Sequence, residues 1–258
     1  MGRIIAVANQ KGGVGKTTTV VNLAACLAEL GEQVLVVDVD PQGNCTTGLG
    51  VDKMRVRRGV YEVLLGEAKL RDVVMSTAWS KLWLVPASAD LAGAEVELVG
   101  VPDRERRLAR ALESARTMYS YTLLDCPPSL GLLTLNSLAA ADSVMVPIQC
   151  EYYALEGLGQ LVKTIKLVQQ KLNPKLVVEG VLLTMFDGRT NLSIQVVEEV
   201  KRYFRGKVYK TIVPRNVRLS EAPSFGLPVI HYDGRSRGAE VYRELAREVV
   251  ERGQARVG

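Results

Sequence analysis

Residues 4–18 read IIAVANQKGGVGKTT. A short apolar run, Ile4–Ala8, leads into a glycine-rich loop, and the loop leads into a stretch of helical spacing, Thr17–Leu30. Strand, glycine loop and helix in that order are the context of a phosphate loop. Small residues let backbone N–H groups curl round phosphate oxygens, and the helix that follows turns its positive end toward the anion. Lys11, Gly12, Gly13, Val14, Gly15, Lys16, Thr17 and Thr18 are therefore the candidate nucleotide cradle. Lys16 is expected to reach the β- and γ-phosphates, and the Thr17 hydroxyl to ligate Mg²⁺. The pattern departs from the strict phosphate-loop spacing: counted from Gly12 the frame is short, and a lysine, not a glycine, heads the loop. Lys11 adds a second positive charge near a triphosphate, acting within its own chain or on a second chain's nucleotide.

Outward from this loop, the chain alternates. Unbroken apolar runs at Val34–Asp38, Leu82–Pro86, Tyr121–Asp125, Ser143–Ile148, Val177–Thr184 and Val208–Val213 fit strands buried on both faces. Amphipathic stretches at Arg104–Arg116, Leu132–Ala140, Leu155–Leu172, Leu192–Phe204 and Ala239–Arg252 fit helices. This alternation predicts an α/β fold, a doubly wound and mostly parallel sheet with helices on both faces. With no linker or repeat, residues 1–258 are expected to form a single domain. Gly43–Lys81 is the least patterned part, expected to be loop and short helix.

Composition excludes other classes. The chain has 258 residues, 47% of them hydrophobic and 24% charged, which is ordinary for a globular protein and unlike a disordered or fibrous one. No apolar run approaches the length of a membrane span. The opening residues read as a buried strand, not a signal peptide. Four cysteines, Cys26, Cys45, Cys126 and Cys150, lack paired spacing and read as reduced cytosolic thiols.

Two more strand ends carry acids. The run VVDVDPQGN places Asp38 and Asp40 at the carboxyl edge of one strand, and LLDCPPS places Asp125 at the edge of another. Ligands of open α/β sheets bind at that edge. Beside a phosphate loop, Asp125 is the candidate Mg²⁺ carboxylate, acting through water. Asp40 is the candidate to orient or activate the attacking water, with a possible metal role as well. Asp38 either positions that water or bonds the loop.

KGGVGKTT, DVDPQGN and LLDCPPS together resemble the deviant Walker A ATPases, which include MinD and the ParA/Soj partition proteins. TMFDGRTNLSIQVVEEV at 184–200 and IVPRNVRLSEAPSFGLPVIHYDGRSRGAEVY at 212–242 look like the short chromosomal Soj type, so the resemblance runs through nearly the whole chain. It implies a P-loop fold, ATP with Mg²⁺, and a homodimer formed on ATP binding. Lys11 would contact phosphate across that dimer. Lys11, Lys16 and Asp40 are then the catalytic set, Thr17 and Asp125 serve the metal, and Pro214 and Asn216 lie at the adenine. The ATP dimer is expected to bind duplex DNA without sequence preference, and a ParB/Spo0J-type protein to stimulate hydrolysis. A cytoplasmic, nucleoid-associated location follows, with replication control as a further role. Because the sequence starts almost directly at the first strand, operator binding through a helix-turn-helix domain is not expected.

Charge is consistent with a polyanion partner. Residues 1–130 carry 15 basic and 15 acidic side chains, whereas residues 189–218 carry eight basic and two acidic. Few aromatics interleave this block, which suits phosphate contacts rather than base stacking. By the resemblance, Arg189 and Arg218 are the leading DNA contacts, with Lys201, Arg235 and Arg237 behind them.

The rivals each lack a feature. A MinD-like membrane-positioning ATPase needs an amphipathic anchor, and the spacing of Val241, Leu245, Val249 and Val250 is that of a last helix's core face. No stable membrane association is expected. An iron–sulfur reductase needs cysteines meeting at a dimer axis, and Cys126 reads as a buried strand-end thiol. A non-enzymatic DNA-coating protein would not need the set of Lys16, Thr17, Asp40 and Asp125. His231 is assigned no role, and Trp79 and Trp83 are read as packing residues.

Overall fold

The computed structural model describes residues 2–151 and 158–254. Its first half runs β1 (Arg3–Val7), α1 (Lys16–Glu29), β2 (Val34–Asp38), α2 (Asn44–Gly48), α3 (Val60–Leu65), α4 (Leu70–Val73), β3 (Met75–Ser76), β4 (Leu82–Val85), α5 (Ala94–Glu97), α6 (Arg107–Leu112) and α7 (Ala115–Met118). The second half runs β5 (Tyr121–Asp125), α8 (Leu132–Ala140), β6 (Ser143–Gln149), α9 (Leu158–Lys171), β7 (Val177–Phe186), α10 (Asn191–Tyr203), β8 (Val208–Pro214), α11 (Val217–Glu221), α12 (Val229–Tyr232) and α13 (Arg237–Gln254).

Eight strands form one sheet in the order β3-β4-β2-β5-β1-β6-β7-β8. Every pairing is parallel except that of β3 with β4. Successive side chains of a strand point to opposite faces, and β1 shows this directly. Ile4, Ala6 and Ala8 enter one apolar cluster, with Leu35, Val37 and α8's Leu133 and Leu138. Ile5 and Val7 enter the other, with Val34, Val36, α1's Val20 and Leu23, and α13's Val241, Leu245 and Val249. Both faces are covered, which is why the strands read as continuous apolar runs. The apolar face of α13 is spent on this packing.

Register builds the site. Val7 of β1 pairs with Asp125 of β5, and Asp125 pairs in turn with Asp38 of β2. The loop after β1 therefore opens beside two carboxylates at the carboxyl edge of the sheet, where the strand order reverses around β1.

The expected helix Arg104–Arg116 is instead a 3-10 turn (Arg104–Arg106) followed by α6 and α7. The side chain of Asn136 ties this entry down: its Oδ1 accepts from the Leu108 amide at 3.1 Å and its Nδ2 donates to the Arg104 carbonyl at 2.8 Å. Leu108, Leu112 and Ala115 stay buried through the break, so the apolar spacing alone does not show it. Helix α10 stops at Tyr203, ahead of Arg205, and Gly206 takes a left-handed φ of +71°. The start expected for the helix Leu155–Leu172 lies outside the described residues.

Candidate nucleotide site

The loop after β1 is held at both ends. Asn9 Nδ2 donates to the Pro147 carbonyl at 2.7 Å, and Asn9 Oδ1 accepts from the Lys11 amide at 3.0 Å. The Val14 carbonyl accepts from the Thr184 hydroxyl at 2.9 Å. Gly13 and Gly15 adopt φ of +73° and +86°, where an L side chain is strained. A Cβ on Gly13 would meet nothing within 4 Å, so the loop's mouth is open. Gly15 precedes the 14-residue α1 with no side-chain cap, leaving that helix's first N–H groups for an anion.

Lys16 is buried and folds back, its Nζ donating to the Lys11 carbonyl at 3.1 Å. Burial lowers its pKa, and the nearby Asp125, Cys126 and Asp40 oppose that shift. The backbone of Lys11 is thus engaged on both sides, whereas its side chain makes no ion pair among the described residues.

The three carboxylates differ in what holds them. Asp38 is fully buried and accepts from the Thr46 amide at 2.7 Å and the Thr46 hydroxyl at 2.6 Å. Burial raises its pKa to about 6, against the pull of those bonds. Asp40 begins a turn: its Oδ1 accepts from the Gln42 amide at 2.9 Å, and its carbonyl accepts from Gly43 at 2.9 Å. Asp125 is fully buried, and among the described residues neither of its oxygens accepts a well-formed hydrogen bond. Burial first, then the charge of Asp38, pushes its pKa well up, while the nearby Thr17 hydroxyl and Lys16 ammonium pull it back. A buried carboxylate left this way is costly unless a cation compensates it. Beside Thr17 it fits a hydrated divalent ion shared with phosphate oxygens. Among the described residues no three His, Cys, Asp or Glu side chains cluster into a cage of their own, in keeping with a metal held largely by substrate.

Two expectations about Asp38 follow. Thr46→Val should destabilise the fold by about 1–3 kcal/mol, because it strands a buried acceptor; urea unfolding measures this, and an unchanged midpoint would contradict it. The raised folded-state pKa also has a sign. Its favourable contribution is complete below the unfolded carboxylate range, near 3.9, and is lost as pH climbs through about 6.

A cavity of about 310 Å³ adjoins the loop, lined by Gly15 and Thr18 on one side and by Pro214, Arg215 and Asn216 on the other. The chain thus brings the two expected adenine residues to the helix end of the phosphate loop, though they lie some 200 positions later in sequence. Asn9, Thr46 and Thr184 are supporting residues that sequence reasoning did not single out. Asn9 and Thr46 flank the motifs and could have been suspected; Thr184 is one threonine in a buried strand and carries no such signal.

Of the basic block, Arg215 lines this cavity, and the Arg218 amide donates to the Asn216 side chain beside it at 3.0 Å. Arg189, in the turn after β7, is highly exposed and forms a two-pronged pair with Asp187 at 2.9 and 2.7 Å. Arg189 in turn holds the Asp187 carboxyl down at about 2. Arg218 pairs with Glu221 at 2.9 Å and Asp233 at 3.1 Å, and Arg237 with Glu240 and Glu244. Lys201 and Arg235 are exposed without an ion pair among the described residues. Lys201 sits near the far end of α10, roughly 15 Å of helix rise past Asn191 at its start, whereas Arg189 lies in the turn before that start.

All four cysteines are buried, and Cys126 and Cys150 have pKa values raised to about 12 by that burial. None is presented for sharing a cluster with a second copy. Trp79 stacks on His231 at 5.2 Å and Trp83 packs against Tyr119 at 5.4 Å.

A mostly parallel sheet with an uncapped helix behind a glycine loop, a buried lysine and a buried strand-end carboxylate defines a P-loop nucleoside-triphosphatase domain. Comparison with known proteins agrees. The AAA domain family matches residues 2–178. The sporulation initiation inhibitor protein Soj of Bacillus subtilis is 62% identical over 98% of this chain and 100% of its own length. The chromosome partitioning protein ParA of Myxococcus xanthus is 57% identical over 98% of this chain and 89% of its own. Among solved structures, cobyrinic acid a,c-diamide synthase of Mycobacterium smegmatis with bound ADP and magnesium matches at 42% identity and a TM-score of 0.87, covering 98% and 96% of the two chains. The septum site-determining protein MinD of Pyrococcus horikoshii, complexed with Mg-ADP, matches at 28% identity and a TM-score of 0.80, covering 96% of each. The chain belongs to the ParA/Soj family of chromosome-partitioning proteins, and it is an ATPase.

Proposed function

We propose that this chain is a single-unit, ATP-switched partition ATPase whose nucleotide-bound homodimer holds duplex DNA without sequence preference. The observation that carries the reading is the contrast between the two lysines of the loop. Lys16 is buried and turned into its own site, whereas Lys11 is only half-buried and its side chain has no acidic partner among the described residues. A lysine so placed suits phosphate presented from a second copy.

Within one protomer the chemistry is ATP plus water to ADP and phosphate. The loop amides and the start of α1 hold the phosphates, and Lys16 neutralises charge that grows on the β–γ bridge. Thr17 and Asp125, with Asp40, would hold Mg²⁺, which would supply positive charge to offset that of the phosphate oxygens. Asp40 accepts a hydrogen bond from the attacking water and orients it in line. Pro214 and Asn216 flank the base. The solved relatives crystallised with ADP and magnesium support this choice of ligands.

Dimerisation then acts as a DNA switch without any contact between nucleotide and DNA. Log affinity falls by about 0.9 per neutralised phosphate for each log unit of salt. Doubling the basic surface therefore multiplies, rather than adds to, the binding constant. Arg189, Lys201 and Arg218 are the assigned contacts, with Arg235 and Arg237 in support. A ParB/Spo0J-type protein bound at centromere-like DNA would stimulate hydrolysis and release the dimer, and control of replication initiation fits the same switch. The chain would then reside in the cytoplasm on the nucleoid.

Arg189→Glu tests the DNA assignment. It should weaken ATP-dependent binding to a random duplex by about 10- to 100-fold while ATP-dependent dimerisation persists. A gel shift matching wild type would contradict the assignment.

A further inference from the structure

A second concave site lies on the opposite edge of the sheet. It is a cavity of about 610 Å³ between α3, α4 and the α6–α7 segment. Met118 and Ser114, which line it, come just before β5 begins, whereas the phosphate loop lies where the strands end. Its wall carries four cations, Lys69, Arg71, Arg107 and Arg110, and its lining contains no Asp or Glu. The first half of the chain sums to zero charge, which hides this group from a composition count.

The four cations are not equally satisfied. Arg71 reaches Asp72 at 3.6 Å, and Arg110 pairs with Asp103. Lys69 and Arg107 have no acidic partner among the described residues. Arg107 is half-buried; among the described residues its Nε is enclosed with no hydrogen-bond partner, and its Nη1 donates only to the Leu65 carbonyl at 3.3 Å. The fold makes room for this guanidinium: Gly66 takes φ +81°, and a Cβ there would lie 3.0 Å from Arg107 Nη1. A partly desolvated cation with nothing to balance it is costly for the empty protein and attractive to an anion. The floor, by contrast, is apolar, with the exposed Met118 thioether on one side.

We infer that this cavity is a second, effector-type nucleotide site, distinct from the phosphate loop, which takes a nucleoside phosphate of about two negative charges. Two uncompensated cations match the charge of a nucleoside monophosphate near neutral pH. The apolar floor and the arginine planes match a base, and the volume lies within the range of small-molecule pockets. Bare phosphate would leave the floor unused. A strand of nucleic acid would supply the same chemistry, but a concave site with an apolar floor of Val63, Leu70 and Ala111 favours the free nucleotide.

Calorimetric titration of GMP into the full-length protein, with ADP and magnesium saturating the phosphate loop, tests this. One additional site is expected. Lys69→Gln, an exposed position whose replacement leaves the core untouched, should weaken GMP by about tenfold or more. Lys69→Gln/Arg107→Gln should remove it, with ADP affinity unchanged within about twofold. Absence of GMP binding to wild type would overturn the inference, as would equal binding by Lys69→Gln. So would inorganic phosphate binding as tightly as GMP. Loss of duplex binding in Lys69→Gln, without any GMP site in wild type, would reassign the cavity to the DNA surface.

Discussion

Asp40→Ala is expected to stop turnover while preserving the ATP-bound dimer. Removing a positioned water-activating carboxylate costs about 10²- to 10⁴-fold in rate. The hydrogen bonds that tie the cradle do not run through that side chain. Among the described residues the Asp40 side chain accepts only from the Gln42 amide in its own turn, and the phosphate loop is tied instead by Asn9 and Thr184. ATP binding should therefore survive, and a dimer normally dissolved by hydrolysis should accumulate. Size-exclusion chromatography with ATP distinguishes the outcomes: a lasting dimer supports the assignment, and a monomer that still hydrolyses ATP would give Asp40 another role.

Lys11→Ala should separate binding from association. Its backbone positions Lys16 through the carbonyl, a contact any residue can supply, whereas its side chain has no partner within the protomer among the described residues. Affinity for ATP in the monomer should change by no more than a few-fold. The dimer, and with it ATP-dependent DNA binding, should weaken by about 100-fold or more, because two buried charge-assisted contacts to phosphate are lost, one from each chain. Lys16→Ala is the useful contrast, since it should abolish nucleotide binding itself. A Lys11→Ala protein that dimerises like wild type would contradict the assignment across the interface.

Much of this was legible in the sequence because the sheet is buried on both faces. Continuous apolar runs then mark the strands with little ambiguity, and seven of the eight were anticipated, β3 being a two-residue edge pairing with both residues exposed. Helices with a long apolar stripe, such as α1 and α13, were equally plain. The pieces that escaped are held by tertiary bonds rather than by pattern. The break before α6 depends on Asn136, a residue of α8. The short helices between Ala89 and Glu97 carry no periodicity to detect.

The site divides in the same way. Glycine and lysine spacing announced the cradle, and acids at strand ends announced Asp38, Asp40 and Asp125. That Asp125 and Asp38 stand side by side follows from the register of β2 against β5, which no local pattern contains. The basic block was visible as composition, yet its pairings were not: Arg189, Arg218 and Arg237 each face carboxylates close in sequence or space. DNA contact at those positions requires phosphate to compete with these carboxylates, which sharpens the dependence on a second protomer.

The most direct test of the central claim is binding of a random-sequence duplex by the full chain with ATP, with ADP and with no nucleotide, each at two salt concentrations. The account predicts binding with ATP alone, indifferent to sequence and falling steeply with salt. Equal binding in all three states would contradict the nucleotide switch, and absence of binding in every state would contradict the role assigned to the basic surface.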